Sequence, residues 1–269
     1  MWKTTVTAGL MAASLAGASA AQSCSDGKTL AEGKLTVATG NPAYYPWVLD
    51  DAPEAGKGFE AAVAYALAAQ MGFDAADVVW TRTSFDQAIQ PGAKDFDLNM
   101  QQFSITEARD KVVDFSEPYY TAPMAVLVRG ADGLSADMET LKGLQWGVVA
   151  STTALPVIIK TIAPDSNPLI YDDNANVVEA MKAGQVDAAL FDLPTALYLS
   201  AVVLEGGQVL GQFPADESDN PDHFGALMPE GSALKECVDA ALDAIKSDGS
   251  LAAIEAEWLQ EATGVPLIR

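Results

Sequence analysis

The sequence is poor in histidine, cysteine and basic residues, and each shortage argues against a class of function. Its 269 residues include one histidine, two cysteines, and 15 lysines and arginines against 37 aspartates and glutamates. These few histidines and cysteines do not occur at the spacings of a metal-binding site. The sequence also has no phosphate-binding glycine loop and no nucleophile–base pattern. The formal net charge of −22 repels the phosphate backbone, so we expect no nucleic-acid partner. We also expect no cofactor.

Long apolar runs are missing after the first twenty residues. Residues 1–20 contain a single charge, Lys3, followed by a weakly apolar run and the small-x-small sequence Ala18-Ser19-Ala20. This pattern is typical of a secretory signal peptide and its cleavage site. No later apolar run approaches the length that crosses a bilayer. We therefore predict a signal peptide over residues 1–20 and a soluble mature protein in the periplasm or outside the cell.

The two cysteines, Cys24 and Cys237, are far apart in the sequence. In an oxidising compartment an even pair predicts a disulfide, which here joins the mature N-terminus to a C-terminal helix. Two free buried thiols are the alternative. A lipid anchor on Cys24 is a further alternative, although Ala21-Gln22-Ser23 before it is a poor lipidation signal.

Hydrophobic periodicity predicts alternating strands and helices in two groups. The first group has strands at 34–39, 78–80 and 96–100 and helices at 59–71 and 85–89. The second has strands at 144–150, 169–171 and 186–191 and helices at 152–159, 176–183 and 195–202. A strand at 124–128 leads into the second group, and a strand at 224–228 with helices at 233–246 and 251–262 follows it. This order predicts two α/β lobes with parallel sheets covered by helices.

The chain crosses between the predicted lobes near Ala125 and near Asp222. We therefore expect the first lobe to comprise residues 21–125 and 222–269. The second lobe then comprises residues 126–221.

Polar and aromatic side chains follow several predicted strands at their carboxyl ends, where parallel sheets bind ligands. In the first lobe these ends carry Asn41–Trp47, Thr83–Phe85 and Gln101–Arg109. A short helix is predicted there, with Glu107 and Arg109 in its first turn. In the second lobe they carry Ser151–Thr153 and Asp192. Their convergence predicts a ligand site between the lobes.

A free amino acid fits the chemistry of these residues. Arg109 can bind a carboxylate as a two-pronged fork, while the Ser104, Thr152 and Thr153 hydroxyls and helix-start amides can donate to it as well. Asp192 can accept an ammonium. Burying both ligand charges costs several kcal/mol each unless both are paired, so the site needs both signs.

Each of these residues also has a plain structural interpretation. Arg109 beside Glu107 and Asp110 can be a surface ion-pair partner. Asp192 and the Ser and Thr residues can be helix caps, and Glu60 can complement the dipole of its helix. The three aromatics of Asn41–Trp47 can form either a packed lid or a ligand platform.

Several motifs resemble those of the bacterial extracellular solute-binding proteins of family 3, the polar amino-acid-binding proteins of ABC transporters. They are Phe103-Ser104-Ile105-Thr106-Glu107-Ala108-Arg109, Val113-Asp114-Phe115-Ser116-Glu117-Pro118-Tyr119-Tyr120, Gly58-Phe59-Glu60, Gly147-Val148-Val149-Ala150-Ser151-Thr152-Thr153 and Gly184-Gln185-Val186-Asp187-Ala188-Ala189-Leu190-Phe191-Asp192. They occur in the family's order and cover nearly all of the mature chain.

The resemblance implies a bilobal periplasmic-binding-protein fold of type II, with a two-strand hinge that closes on the ligand. It implies that Arg109 clamps the α-carboxylate with help from Ser104 and Thr153, and that Asp192 binds the α-amino group. The side-chain pocket would be lined by Asn41, Tyr44, Phe85, Gln102 and Trp47. An amino-acid ligand, an ABC permease partner and a monomeric state follow from the same resemblance. Asp187 has a structural role in this interpretation.

Two departures from the family pattern leave the side-chain specificity open. Glu107-Ala108 precedes the arginine where the family usually has Pro-Glu, and Gln102 stands where a small residue is common. A dehydratase-like enzyme on the same fold is one alternative function, with Glu60 or Asp192 as its acid. A ligand sensor is another. The single histidine, His223, fits a surface or hinge role better than catalysis.

Overall fold

Two mixed β-sheets form the centres of two lobes in the computed structural model of the protein. The structure describes residues 24–213, 222–259 and 264–268, so the predicted signal peptide at 1–20 lies outside the described residues. Within the described part of the chain, no helix has the length and apolar character needed to span a membrane.

The strands and helices alternate along most of the described chain. The strands are β1 (Leu35–Gly40), β2 (Val78–Thr83), β3 (Leu98–Asn99), β4 (Val113–Phe115), β5 (Tyr120–Ala122), β6 (Met124–Arg129), β7 (Trp146–Val149), β8 (Leu169–Tyr171), β9 (Ala188–Asp192), β10 (Gly207–Gln212), β11 (Asp222–Phe224) and β12 (Leu227–Pro229). The α-helices are α1 (Phe59–Gln70), α2 (Phe85–Ala88), α3 (Met138–Lys142), α4 (Ala154–Pro156), α5 (Asn174–Lys182), α6 (Leu193–Tyr198), α7 (Lys235–Ser247) and α8 (Ser250–Trp258). Helices α4 and α6 continue as π-helical turns over Val157–Ile162 and Leu199–Val203.

The first lobe has a five-stranded sheet in the order β2-β1-β3-β12-β4. Strand β1 pairs in parallel with β2 and β3, while β12 runs antiparallel to both β3 and β4. Helices α1, α7 and α8 pack together on this lobe. Apolar side chains of α1 at spacings of four residues, Phe59, Val63 and Leu67, are buried in its core, as the sequence pattern predicts.

The second lobe has a five-stranded sheet in the order β10-β6-β9-β7-β8. Strand β7 pairs in parallel with β8 and β9, and β6 runs antiparallel to β9 and β10. Side chains of β6 alternate between two apolar layers, with Ala125 and Leu127 in one and Val126 and Val128 in the other. Both sheets are therefore mixed, and the expectation of purely parallel sheets is wrong because the crossing strands enter them in the opposite direction.

A two-stranded antiparallel ribbon lies where the chain passes between the lobes. It pairs β5 with β11, joining Ala122 to Asp222, Thr121 to His223 and Tyr120 to Phe224. The His223 ring nitrogen Nδ1 lies 2.8 Å from the Thr121 hydroxyl within this ribbon. The bilobal architecture with a two-strand hinge is thus confirmed.

Several predicted elements differ from the observed ones. The segment 224–228 is two strands, β11 and β12, divided at Gly225, whose backbone packs so closely on Ile105 and Ser116 that a Cβ atom would lie 2.9 Å from Ile105. The predicted helix around Arg109 consists of turns at 107–112, because only Asp110 and Val113 donate helix-type bonds there, to Thr106 and Arg109.

The C-terminal residues 264–268 pack on the second lobe. Ile268 is buried in the core beside Ala188 and Leu190, and Leu267 forms a parallel bridge with Gln212. The sequence-based assignment of 222–269 to the first lobe is wrong for this tail, because strand β10, which receives it, was not predicted.

Cys24 and Cys237 form a disulfide, as predicted, with their Cα atoms 5.6 Å apart. It joins the start of the described chain to α7 across 213 residues of sequence. The N-terminal end is thereby fixed to the first lobe.

Candidate functional site

A cavity of about 200 Å³ lies between the two lobes. Its walls come from the loops after β1, β2, β3, β7 and β8, together with the end of β9, strand β11 and the start of α5. Nine residues of the predicted ligand-binding set line it: Asn41, Tyr44, Trp47, Phe85, Gln102, Ser104, Thr152, Thr153 and Asp192. The tenth, Arg109, is not on the wall.

Direct contacts between the lobes enclose this cavity. The Ser104 and Thr153 hydroxyls lie 3.1 Å apart, and the Ser151 hydroxyl donates to Asp86 over 2.6 Å. The Trp47 indole nitrogen donates to the Thr195 hydroxyl over 2.8 Å. The two lobes therefore contact each other on more than one side of the cavity.

Arg109 bridges the two lobes behind the cavity wall. Its guanidinium donates to the Ser104 carbonyl over 2.7 Å and to the Ser151 carbonyl over 2.8 Å. It also lies over the Phe85 ring, 5.2 Å from the ring centre. Burial lowers the pKa of Arg109 to about 10, while the charge of Asp222 opposes that shift, so the group stays cationic at neutral pH. Two carbonyls leave three of its five N–H donors for other acceptors.

Asp192 ends β9 and begins α6 at the cavity wall. One carboxylate oxygen accepts the Thr195 amide over 2.8 Å, so the residue is a helix cap as well as a cavity residue. Burial raises the pKa of this carboxyl to about 6, the cap hydrogen bonds oppose the shift, and the charge of Asp222 adds to it. A cation in the cavity would relieve this penalty.

The hydroxyls of Ser104, Thr152 and Thr153 have separate roles. Ser104 and Thr153 contact each other across the cleft, and Thr152 donates to the Val149 carbonyl over 2.8 Å. Thr153 occupies the N-cap position of α4, as the sequence allowed, but its side chain makes no cap hydrogen bond. Its hydroxyl reaches the other lobe instead.

The three aromatic side chains after β1 have different environments. Trp47 is buried and packs edge-on against Phe59 and Phe224 in the first core. Tyr45 packs on Tyr198 of the second lobe, with ring centres 4.7 Å apart. Tyr44 lines the cavity with a buried hydroxyl that makes no well-formed hydrogen bond within the described residues. The loop is thus part core, part contact between the lobes and part cavity wall.

Glu60 hydrogen-bonds to Gln102, which lines the cavity. It is fully buried and accepts the Gln102 amide over 2.7 Å, as well as the Gln102 side-chain nitrogen and the Tyr119 hydroxyl. These bonds hold Gln102 at a φ of 51°, which is uncommon for a residue with a side chain. Glu60 lies in the first turn of α1, as expected from the sequence, and its side chain is buried there.

Glu60→Gln is expected to change how the free energy of unfolding depends on pH. Burial raises the pKa of Glu60 from 4.5 to about 7, although its hydrogen bonds oppose the shift. The folded state therefore holds a proton that the unfolded state releases, so this contribution is full below about pH 4.5 and is lost as pH rises to about 7. Relative to Glu60→Gln, the wild type should lose roughly 3 kcal/mol across that range.

Urea unfolding at pH 5 and pH 8 measures this difference, because the pH-independent cost of the substitution cancels between the two. Parallel pH profiles for the wild type and the variant would contradict a buried, titrating Glu60.

Sequence reasoning missed three carboxylates on the cavity wall: Asp172, Asp173 and Asp222. Asp222 was expected only as a crossing residue, yet burial raises its pKa while a hydrogen bond from Ser104 and the charge of Arg109 oppose the shift. Asp173 begins α5 and accepts the Asn176 amide over 2.9 Å. The Asp172-Asp173-Asn174 run just after β8, at a strand carboxyl end, was a signal that could have found two of them.

The closed cleft between two lobes, with polar residues from both, invites comparison with known binding proteins. The model of the bacterial extracellular solute-binding proteins, family 3, matches residues 35–261. The chain belongs to this family.

Three similar proteins illustrate the range of the family. The ABC transporter arginine-binding protein 1 of Escherichia coli (strain K12) is 30% identical over 76% of this chain and 82% of that protein. The ABC transporter glutamine-binding protein GlnH of Bacillus subtilis (strain 168) is 31% identical over 62% of this chain, which spans 59% of that protein. A solved structure of an ancestral arginine-binding protein bound to glutamine has a TM-score of 0.71 at 29% identity, covering 85% of this chain and 98% of that one. All three are named as binding proteins.

Proposed function

We propose that this protein binds a free α-amino acid between its lobes and delivers it to an ABC importer. The observation that carries the proposal is the presence of opposite charges on the two sides of one closed cleft. Arg109 and Ser104 belong to the first lobe and Asp192 to the second; Ser104 and Asp192 line the cavity, and the Arg109 guanidinium lies behind Ser104. A zwitterion needs both charges paired, and full pairing requires both lobes.

In the bound state, Asp192 would accept the α-ammonium with the carboxylate oxygen that the cap does not use. The α-carboxylate would sit by the Ser104 and Thr153 hydroxyls, within reach of the free N–H donors of Arg109. Lobe closure about the β5–β11 ribbon would bring these groups together. We place the lobe boundaries near Ala125 and Asp222 and assign residues 264–268 to the second lobe.

Export by the segment 1–20, a monomeric state and an ABC permease partner complete the proposal. The names of the related binding proteins and the extracellular family support it. No reaction is needed to account for the carboxylates, since each one fits the recognition of a cation.

A thermal-shift screen of ligand-free protein tests the proposal, because a ligand that binds only the folded state raises the melting temperature. At least one L-α-amino acid should raise it. Its analogues lacking the α-amino or the α-carboxyl group should not. A shift with either analogue equal to that of the parent compound would contradict zwitterion recognition.

A further inference from the structure

The ionisable side chains on the cavity wall are all acidic. Asp172, Asp173, Asp192 and Asp222 line it, and among the described residues no lysine, arginine or histidine does. Within the same part of the chain, none of these four carboxylates forms an ion pair within 4 Å. The wall therefore carries negative charge that the protein does not neutralise by direct contact.

Arg109 cannot offset this charge alone. Its guanidinium lies behind Ser104 and carries one positive charge, whereas two half-buried acids on the wall, Asp192 and Asp222, carry two negative charges when ionised. A neutral zwitterion would use Arg109 for its carboxylate and one acid for its ammonium, leaving the other wall carboxylates without a cation. A ligand with a net positive charge fits this excess of negative charge better, because carboxylates removed from water are stabilised by a cationic partner.

The second positive charge has a place beside Tyr44 and Asp173, which both line the cavity. The Tyr44 hydroxyl there is buried and has no well-formed hydrogen bond within the described residues. Burial and then the charge of Asp173 raise the pKa of Tyr44 to about 12, while the backbone of Ala175, at the start of α5, opposes the shift. A neutral hydroxyl and a carboxylate are both acceptors for a cationic N–H group.

Asp173 is the half-buried acid available beside Tyr44, since Asp50 and Asp172 are exposed. Tyr44 also borders a second cavity of about 430 Å³, whose wall includes Asp50, Asp51 and Glu179. Asp51 already pairs with Arg82, and Glu179 pairs with Lys182 over 2.9 Å. Asp173 uses one oxygen for its helix cap, which leaves the other oxygen for a ligand.

We propose that the cavity selects an α-amino acid with a cationic side chain, whose charged end binds between the Tyr44 hydroxyl and the Asp173 carboxylate. The proposal rests on the amino-acid-binding function proposed above. It adds the substrate class, an amino acid with a net charge of about +1, and names the two residues that recognise the additional charge.

The test compares L-arginine with L-citrulline, which is nearly the same shape and has a neutral urea in place of the guanidinium. Isothermal titration calorimetry on ligand-free protein should show arginine binding about 10–100-fold more tightly than citrulline. Lysine should exceed norleucine by a similar factor. Asp173→Asn should remove most of this preference while changing citrulline affinity less than about threefold, because asparagine still caps α5.

Asp137→Asn is the matched control variant. Asp137 caps α3 by the same contact, accepting the Thr140 amide over 2.8 Å, but it does not line the cavity. It should leave both affinities unchanged. Tyr44→Phe should weaken arginine binding by about 3–10-fold and citrulline binding less.

The outcomes separate the two proposals. Equal affinities for arginine and citrulline, or preference for L-glutamate, would overturn the charge selection and leave amino-acid binding intact. An unchanged preference in Asp173→Asn would overturn the assignment of the cation to Tyr44 and Asp173. If agmatine, which lacks the α-carboxylate, binds as tightly as arginine, the zwitterion function fails and the charge selection stands.

Discussion

Asp192→Asn is expected to weaken binding of the preferred amino acid by at least about 100-fold. The substitution removes the acceptor charge of the buried carboxylate and leaves the ligand ammonium without its direct partner, a loss of about 3–5 kcal/mol. Asparagine keeps a side-chain oxygen for the Thr195 amide, so α6 should remain capped. Isothermal titration calorimetry at pH 7.5 measures the loss, with circular dichroism confirming that the fold persists.

The pH dependence of the same variant gives an independent check on the role of Asp192. The carboxyl has a pKa of about 6 without ligand, and only its ionised form attracts an ammonium. Wild-type affinity should therefore fall as pH drops below about 6, by up to about tenfold per pH unit, and level off above about 7. Asp192→Asn should lack this component. Wild-type-like affinity in Asp192→Asn at pH 7.5 would rule out the proposed ammonium contact.

Arg109→Ala is expected to have a comparable effect, a loss of at least about 100-fold in affinity for the amino acid. The guanidinium lies behind Ser104 of the cavity wall, and its bonds to the Ser104 and Ser151 carbonyls join the two lobes. Its removal takes away both the carboxylate partner and one contact of the closed state. Arg109→Lys should retain the charge but lose the fork geometry, giving an intermediate loss.

Two comparisons make the Arg109 result specific. Arg129→Ala is the control variant. It removes an exposed guanidinium that donates to the Lys182 carbonyl over 2.7 Å, and ligand binding should not change. Agmatine affinity should fall less than arginine affinity in Arg109→Ala, because agmatine has no carboxylate to lose. Equal losses for the two ligands would show that Arg109 acts only by joining the lobes.

Features that depend on local sequence were predictable. The spacing of Phe59, Val63 and Leu67 identified α1, and Asp192 and Thr153 were expected at a ligand site because each directly follows a strand. Parallel strands bring their carboxyl ends to one edge of the sheet, irrespective of how distant segments of the chain pack. The cavity wall built from β1, β3, β7 and β9 therefore agrees with the sequence-based expectation.

Features that depend on distant pairing were not predictable. Asp222 reaches the cavity because β11 pairs with β5, and no pattern near residue 222 indicates that partner. Glu60 was expected only to complement the dipole of its helix, since the periodicity of α1 does not reveal that Gln102 and Tyr119 hydrogen-bond to its side chain. The mixed sheets and the π-helical ends of α4 and α6 likewise arise from contacts between remote segments.

The two ends of the described chain lie on opposite lobes, although α7 and α8 both belong to the first. The disulfide holds Cys24 against α7, whereas buried Ile268 anchors the last residues to the second lobe. A dye at the N-terminal end and a second dye after the C-terminus would thus form a distance gauge across the cleft. Energy transfer between them would register opening and closing in solution without a label near the cavity itself.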